Sequence, residues 1–332
     1  MKKVISLGEI MLRLTPPDYQ KIVQTEAFEA YYGGSEANVA VSLASLGHHS
    51  AFVSKLPANS LGDAAIGHLR KYGVNVEDVV RGGDRLGIYF AENGISRRAS
   101  QVLYDRSHSS MAEARLEDFD FHRILEGADW FHVSGITMAI GESGARITEE
   151  AMKIAKEKQI TISFDFNYRS KLWTLEEAKA AYEKVLPYVD VCFAGHKDAA
   201  YILGIESNQL NENEPDTIKE IMMKMKDQYS LPIIASTVRS VHSASVNSLS
   251  GYALDQSDFF STAKCEFQIL DRVGGGDAYV AAFIHSMLKG ESMKSSVSFA
   301  LAASVLKHTL KGDFSILSAD EINAFEENSI QR

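Results

Sequence analysis

Only two cysteines, Cys192 and Cys265, occur in 332 residues, far apart and without a metal-ligand spacing. That excludes a disulfide framework; both read as small buried apolar residues of a reducing compartment. No apolar run approaches membrane-spanning length without charges. The opening MKKVISLGEIMLRL starts like a signal peptide, but Glu9 and Arg13 interrupt it early. A cytoplasmic chain with no membrane partner is expected. Basic charge is also scarce: 34 Lys and Arg stand against 44 Asp and Glu, a net charge of -10. A long nucleic-acid surface is therefore excluded, and any anion must be met in a local pocket. Two phosphate signatures are missing. No GxxxxGK[ST] occurs, and the triplet Gly274–Gly276 lacks the later Gly or Ala of the dinucleotide fingerprint, since Tyr279 stands there. The second absence disfavours a nicotinamide-dependent oxidoreductase.

What remains is an ordinary globular balance, 45% hydrophobic and 23% charged. Val4–Leu7 reads as a buried strand, and Glu9–Leu14 as an alternating, more exposed continuation. Residues 15–32 are mixed, broken by Pro16-Pro17. A helix is expected over Ser35–Leu46 with Ser35 as its N-cap, and another over 63–72. The runs 87–92 and 101–105, separated by Asn93-Gly94 and a basic loop with Arg97 and Arg98, read as a hairpin outside the main sheet. From Asp129 the pattern alternates. Strands are expected at 129–134, 160–165, 189–193 and 231–235, and helices at 144–157, 175–186, 197–203 and 215–228. Such alternation predicts a parallel sheet covered by helices on both faces. Further β structure is expected at 241–254 and 258–270, then helices from 275–276 to 288 and at 291–309 and 319–326. Glu206–Asp216 reads as a surface loop.

The segment Asp271-Arg272-Val273-Gly274-Gly275-Gly276-Asp277-Ala278-Tyr279 carries the most chemistry. Glycines let a ligand approach the backbone, and free N–H groups at a helix start favour an anion. An Asp in the same turn suits a site where phosphate charge only transits while a neighbouring hydroxyl attacks. By itself the segment also describes a capped helix. Earlier, Gly33-Gly34-Ser35-Glu36-Ala37-Asn38 offers paired glycines and an amide able to donate to and accept from hydroxyls.

VGGGDAY resembles the second motif of the PfkB/ribokinase family, D-[TS]-x-G-A-G-D-[AST]-[FY], and Gly33–Ala40 resembles its first, G-G-x-x-x-N-x-A. The match departs at Arg272, where a small hydroxyl is usual, and at Gly275, where Ala is usual. The resemblance spans nearly the whole chain. It implies an α/β, ribokinase-like three-layer αβα sandwich, one domain over 1–332. Its mostly parallel central sheet is joined by a small β-sheet lid from about 9–32 and 85–112. It also implies ATP-dependent sugar phosphorylation, with Asp277 as base and the N–H groups of Gly274 to Asp277 as the anion hole. Ser236, Thr237, Arg239 and Asp271, with Gly274 and Gly276, are expected on the nucleotide side. Mg2+ is implied, and a monovalent cation such as K+ is admitted. Asp198 in Gly195-His196-Lys197-Asp198 stands where the family often has the Glu of N-x-x-E, and is the candidate metal ligand. A homo-oligomer, dimer or larger, is also implied.

Tyr89, Tyr104 and Arg106 fall on one face of the hairpin by alternation. Two phenols and a guanidinium suit a polyhydroxy carboxylate, because Arg grips a carboxylate in a fork. Arg169 follows a strand end in Asp165-Phe166-Asn167-Tyr168-Arg169, where ligands bind in parallel sheets. Together with Asp313 these positions are similar to those of the family's 2-keto-3-deoxygluconate kinases. There the tyrosines, the lid Arg, the later Arg and the Asp hold the acid. The implied reaction is phosphorylation of the acid's terminal hydroxyl, giving 2-keto-3-deoxy-6-phosphogluconate. A fructokinase, a ribokinase-like enzyme and a sugar-binding pseudokinase are the alternatives.

Overall fold

The computed structural model describes residues 1–207, 213–256 and 258–327. Positions 208–212 of the expected Glu206–Asp216 loop lie outside them. Its strands are β1 (Lys3–Leu7), β2 (Met11–Thr15), β3 (Glu29–Gly33), β4 (His49–Leu56), β5 (Val79–Arg81), β6 (Ile88–Glu92) and β7 (Gln101–Asp105). The second half adds β8 (Trp130–Ser134), β9 (Thr161–Asp165), β10 (Val191–Phe193), β11 (Ile233–Val241), β12 (Val246–Leu254), β13 (Phe259–Ser261) and β14 (Cys265–Gln268).

The large sheet runs β13-β12-β11-β10-β9-β8-β1-β4-β5, with β14 also on β12. It is parallel from β5 to β11 and antiparallel beyond. Alternate residues of each strand feed opposite cores. Ile5, Phe131, Cys192 and Ile234 pack with the helices Gly144–Glu157, Leu175–Val185 and Pro215–Tyr229. Val4, Trp130, Val191 and Ala235 pack with Gly275–Lys289 and Met293–Lys307. This two-sided burial makes the three layers and explains why the strands are apolar throughout. A second sheet, ordered β3-β2-β6-β7, stands apart.

The expected strands and helices from residue 129 onward are present, with shifted ends. Segment 197–203 is one short α-helical turn, His196–Asp198, followed by a π-helical turn, Ala199–Leu203. Strand β2 differs from expectation. It is buried almost throughout, because β3 and β6 flank it and Leu12 enters a core with Val41 and Phe52. Strands β3, β4 and β5 were not apparent in the sequence. The helix at Ser35–Ser45 takes Gly34, not Ser35, as its N-cap, which frees the Ser35 hydroxyl. Cys192 is buried, but Cys265 is only half-buried, on the outlying β14.

Candidate active site

A cavity of about 610 Å³ opens between the two sheets at the carboxyl ends of the parallel strands. The small sheet supplies Tyr89, Val102 and Tyr104, and Arg106 enters directly after β7. The large sheet supplies Asp165 at the end of β9, and Ser236, Thr237 and Arg239 on β11. Gly34, Ser35 and Asn38 enter from one helix start, and Arg272 through Asp277 from another. Gly34 is forced by close approach: a Cβ there would sit 1.9 Å from the Glu9 carbonyl oxygen.

The Gly275–Lys289 helix has Gly274 as N-cap, at φ +81°, a conformation that favours glycine. The first helical N–H groups, Gly275 to Asp277, have no carbonyl one turn back to bond. The helix dipole makes this end attractive to anions. Asp277 is fixed by two neutral donors. Asn38 Nδ2 donates to one carboxylate oxygen at 2.6 Å and Ser35 Oγ to the other at 3.0 Å. Asn167 Nδ2 donates to Ser35 Oγ at 2.8 Å, so the Ser35 proton is directed at the carboxylate. Burial pushes the Asp277 carboxyl up from its ordinary value, opposed by Asn38, Ser35 and the Arg169 charge. A partly desolvated carboxylate held by neutral donors is equipped to take a hydroxyl proton.

Arg106 and Tyr89 each have a partner that sequence reasoning missed. Arg106 Nη2 donates to Glu9, which also accepts from Ser109, and Arg106 Nε has no partner among the described residues. A buried donor without an acceptor is costly, and a ligand oxygen would satisfy it. The Arg106 guanidinium also lies 5.8 Å from the Tyr104 ring centre, and Tyr104 faces Tyr89 directly across the β6–β7 ladder. The Tyr89 hydroxyl donates to Asp313. Asp313 is fully buried behind it, with its other oxygen 2.8 Å from Arg13 Nη1. Gly33, Asp271 and Asp313 are not walls of the cavity in this structure. Asp271 instead lies 2.8 Å from Arg13 Nη2.

Glu36 was also missed. It is buried at the helix start and accepts from Ser134 N, Ser134 Oγ and Thr137 Oγ1 at 2.7–2.9 Å. It thereby ties the Ser35–Ser45 helix to the end of β8. Its variable place in the first motif offers no sequence signal.

Asp165 and Asp198 line the opposite wall, with Arg169 among them. Burial raises both carboxyls, and at Asp165 the neighbouring Asp277 and Asp198 raise it further. Asp198 accepts from Gly195 N at 2.9 Å, so it caps its own turn. Among the described residues no three His, Cys, Asp or Glu side chains form a metal cage. Mg2+ prefers one or two carboxylates together with phosphate oxygens and water. The donor set fits that shared mode. At the tip of the small sheet, Ala244 N donates to Ser96 O (2.8 Å) and Ser96 N to Ser245 Oγ (2.9 Å). These bonds link the hairpin to the turn after β11.

A model of the pfkB family of carbohydrate kinases matches residues 1–318. A 2-dehydro-3-deoxygalactonokinase of Haloferax volcanii is 33% identical over 322 residues, 96% of this chain and 95% of its own. The crystal structure of a 2-dehydro-3-deoxygluconokinase from Thermotoga maritima superposes with a TM-score of 0.96 at 46% identity, covering 98% of this chain and 100% of that one. A PfkB family carbohydrate kinase from Listeria grayi gives 0.93 at 39%, over 98% and 100%. The chain belongs to the pfkB family of carbohydrate kinases.

Proposed function

We propose that this kinase transfers the γ-phosphoryl group of MgATP to the terminal hydroxyl of 2-keto-3-deoxygluconate. The observation that carries the choice of an acid is Arg106 Nε, a buried donor without a partner among the described residues, in the cavity that also holds Asp277. Bound with its carboxylate at Arg106, the sugar acid extends its far hydroxyl toward Asp277. Asp277 accepts the hydroxyl proton late, as the loose phosphoryl transition state collects charge. The N–H groups of Gly275 to Asp277 receive that charge, and Arg169 orients the acceptor. Asp198 and Asp165 would hold Mg2+, which when bound neutralises phosphate charge. Ser236, Thr237 and Arg239 serve the nucleotide. Water is excluded by the small sheet, which acts as the lid.

Arg106→Ala separates acid from neutral substrates. Losing the cation leaves the substrate carboxylate buried and unpaired, so kcat/KM for the acid is expected to fall about 30- to 1,000-fold. Activity on fructose or ribose should fall far less. An unchanged acid-to-neutral ratio means that Arg106 does not read a carboxylate, and the reading retreats to an unspecified sugar kinase. The Haloferax volcanii relative favours a second reading, the C4-epimeric acid, so both epimers belong in the assay.

Lid action has its own readout. Amide exchange over residues 88–105 should slow on adding the sugar acid and ADP. No slowing under independently shown saturation removes the lid role. The cytoplasmic location and the homo-oligomer are part of the same reading. Light scattering of the purified chain tests the latter, and a monomer overturns it.

A further inference from the structure

Three features of the nucleotide half of the cavity go beyond the general nucleotide role given to Ser236 and Arg239. Arg239 and Arg272 both line it, and neither has an acidic ion-pair partner among the described residues. Burial, and then the charge of Arg272, push the Arg239 guanidinium down to about 10. Two cations that oppose each other in a partly desolvated wall are tolerated where an anion comes between them. Ser236 Oγ, beside them on β11, is buried and has no partner among the described residues.

The third feature is His308, at the C-terminal end of the Met293–Lys307 helix. Its Nδ1 lies 2.6 Å from the Ser304 carbonyl oxygen, so that nitrogen carries the proton. Its Nε2 then accepts from Arg239 Nη2 at 3.3 Å. Burial, and then Arg239, hold the imidazole down at about 3, so it is neutral and free to accept. The ring also occupies the space beside Gly275. A Cβ on residue 275 would lie 2.3 Å from His308 Cε1 and 2.8 Å from Nε2. The two departures from the family motif, Arg272 and Gly275, thus belong to one construction. Gly275 makes room for the ring that aims Arg239, and Arg272 supplies the second guanidinium.

We infer that Arg239 and Arg272 form a clamp for the phosphate chain of the nucleotide, with His308 as the positioning residue that aims Arg239. A phosphate chain fits better than the sugar carboxylate. Two planar guanidiniums match several phosphate oxygens at once. They also lie on β11 and the loop before the Gly275 helix start, whereas Arg106 directly follows β7 of the small sheet. The inference rests on the kinase reading above, but its first test does not require turnover.

MgADP titration of the full chain by calorimetry is that test. Arg272→Thr restores the family's usual hydroxyl type, and Arg239→Ala removes the other arm. Each is expected to weaken MgADP by about 10- to 100-fold, the worth of a hydrogen bond to a charged group. KM for the sugar acid should stay within about twofold. His308→Leu should weaken MgADP by about tenfold, whereas His308→Gln, which keeps an acceptor near the Nε2 position, should recover most of it. Gly275→Ala should lower Tm in the wild type and cost less in a His308→Ala background, since the clash is then removed. Three outcomes overturn the inference. One is unchanged MgADP affinity in folded Arg272→Thr and Arg239→Ala. Another is a rise in sugar-acid KM with MgADP unaffected. The third, equal weakening by His308→Leu and His308→Gln, overturns the aiming role. A wild type that binds MgADP in this pattern yet phosphorylates no sugar acid supports the clamp and sinks the proposed substrate instead.

Discussion

Asp277→Asn is expected to fold, to bind the sugar acid with little change, and to lose about 10²-fold or more in turnover. The replacement keeps one oxygen for Ser35 or Asn38 but cannot accept the hydroxyl proton. In phosphoryl transfer the protein contributes mostly position and charge, so a misplaced or missing base is felt in kcat rather than in KM. The hydrogen bonds at 2.6 and 3.0 Å show how position is set: both carboxylate oxygens are already aligned before a substrate arrives. Rapid-quench turnover of the folded variant is the measurement. Near wild-type turnover would remove Asp277 from the role of base.

As the proposed base, Asp277 is also expected to set the acid limb of activity. Burial raises its carboxyl above the ordinary value, and the donors and Arg169 only partly offset that. The base works ionised. A raised value means that protons are retained at higher pH, so kcat should fall as pH drops through that value, earlier than for an exposed carboxylate. The Asn variant should lack this limb in its residual activity.

The layers and the glycine-flanked position of Asp277 were legible in the sequence because both rest on short-range pattern. Alternating strand and helix periods announce a parallel sheet, and the glycines beside Asp277 announce a helix start with free N–H groups. Ring pairing of Tyr89 and Tyr104 also follows from alternation, once the hairpin register is fixed. What stayed hidden depends on partners far along the chain. Arg13 in Met11–Thr15 looks like the exposed member of an alternating strand, but its partner Asp313 is 300 residues away. Glu9 likewise meets Arg106 from 97 residues off, and Glu36 meets donors at Ser134 and Thr137. Periodicity reports which face a residue takes, not which charge comes to meet it. Ser35 shows the local version: its type suits a cap, yet Gly34 caps and the hydroxyl turns to Asp277.

Arg13→Met is expected to lower stability by about 3–5 kcal/mol at neutral pH, the usual cost of removing one partner from a buried ion pair. Tm should fall by on the order of 10 °C. Arg13 is fully buried on β2 and lies 2.8 Å from both Asp271 and Asp313, with its Nε donating to Thr15. Removing the guanidinium leaves two buried carboxylates with reduced compensation. Asp271 keeps the Gly312 and Val273 amides, and Asp313 keeps the Tyr89 hydroxyl. Burial already raises the Asp313 carboxyl, and Arg13 is the largest influence lowering it. In the variant its folded-state pKa therefore rises further above the unfolded value. The sign then follows from linkage: the penalty is full above that raised pKa and shrinks as pH falls through it and the carboxylate is neutralised. The gap between wild type and Arg13→Met should thus narrow on acidification from pH 7. Adding Asp313→Asn to Arg13→Met should recover part of the loss at neutral pH, because the uncompensated charge is gone. Denaturant titrations of the two single variants and the double variant, at pH 7 and pH 5, resolve the coupling. A cost below about 1 kcal/mol at pH 7, or no coupling between 13 and 313, would mean the triad does not hold β2 to the loops at Asp271 and Asp313. Where the cost appears, sugar-acid KM should rise with it. Tyr89 lines the cavity, and its hydroxyl is anchored on the carboxylate that Arg13 holds in place.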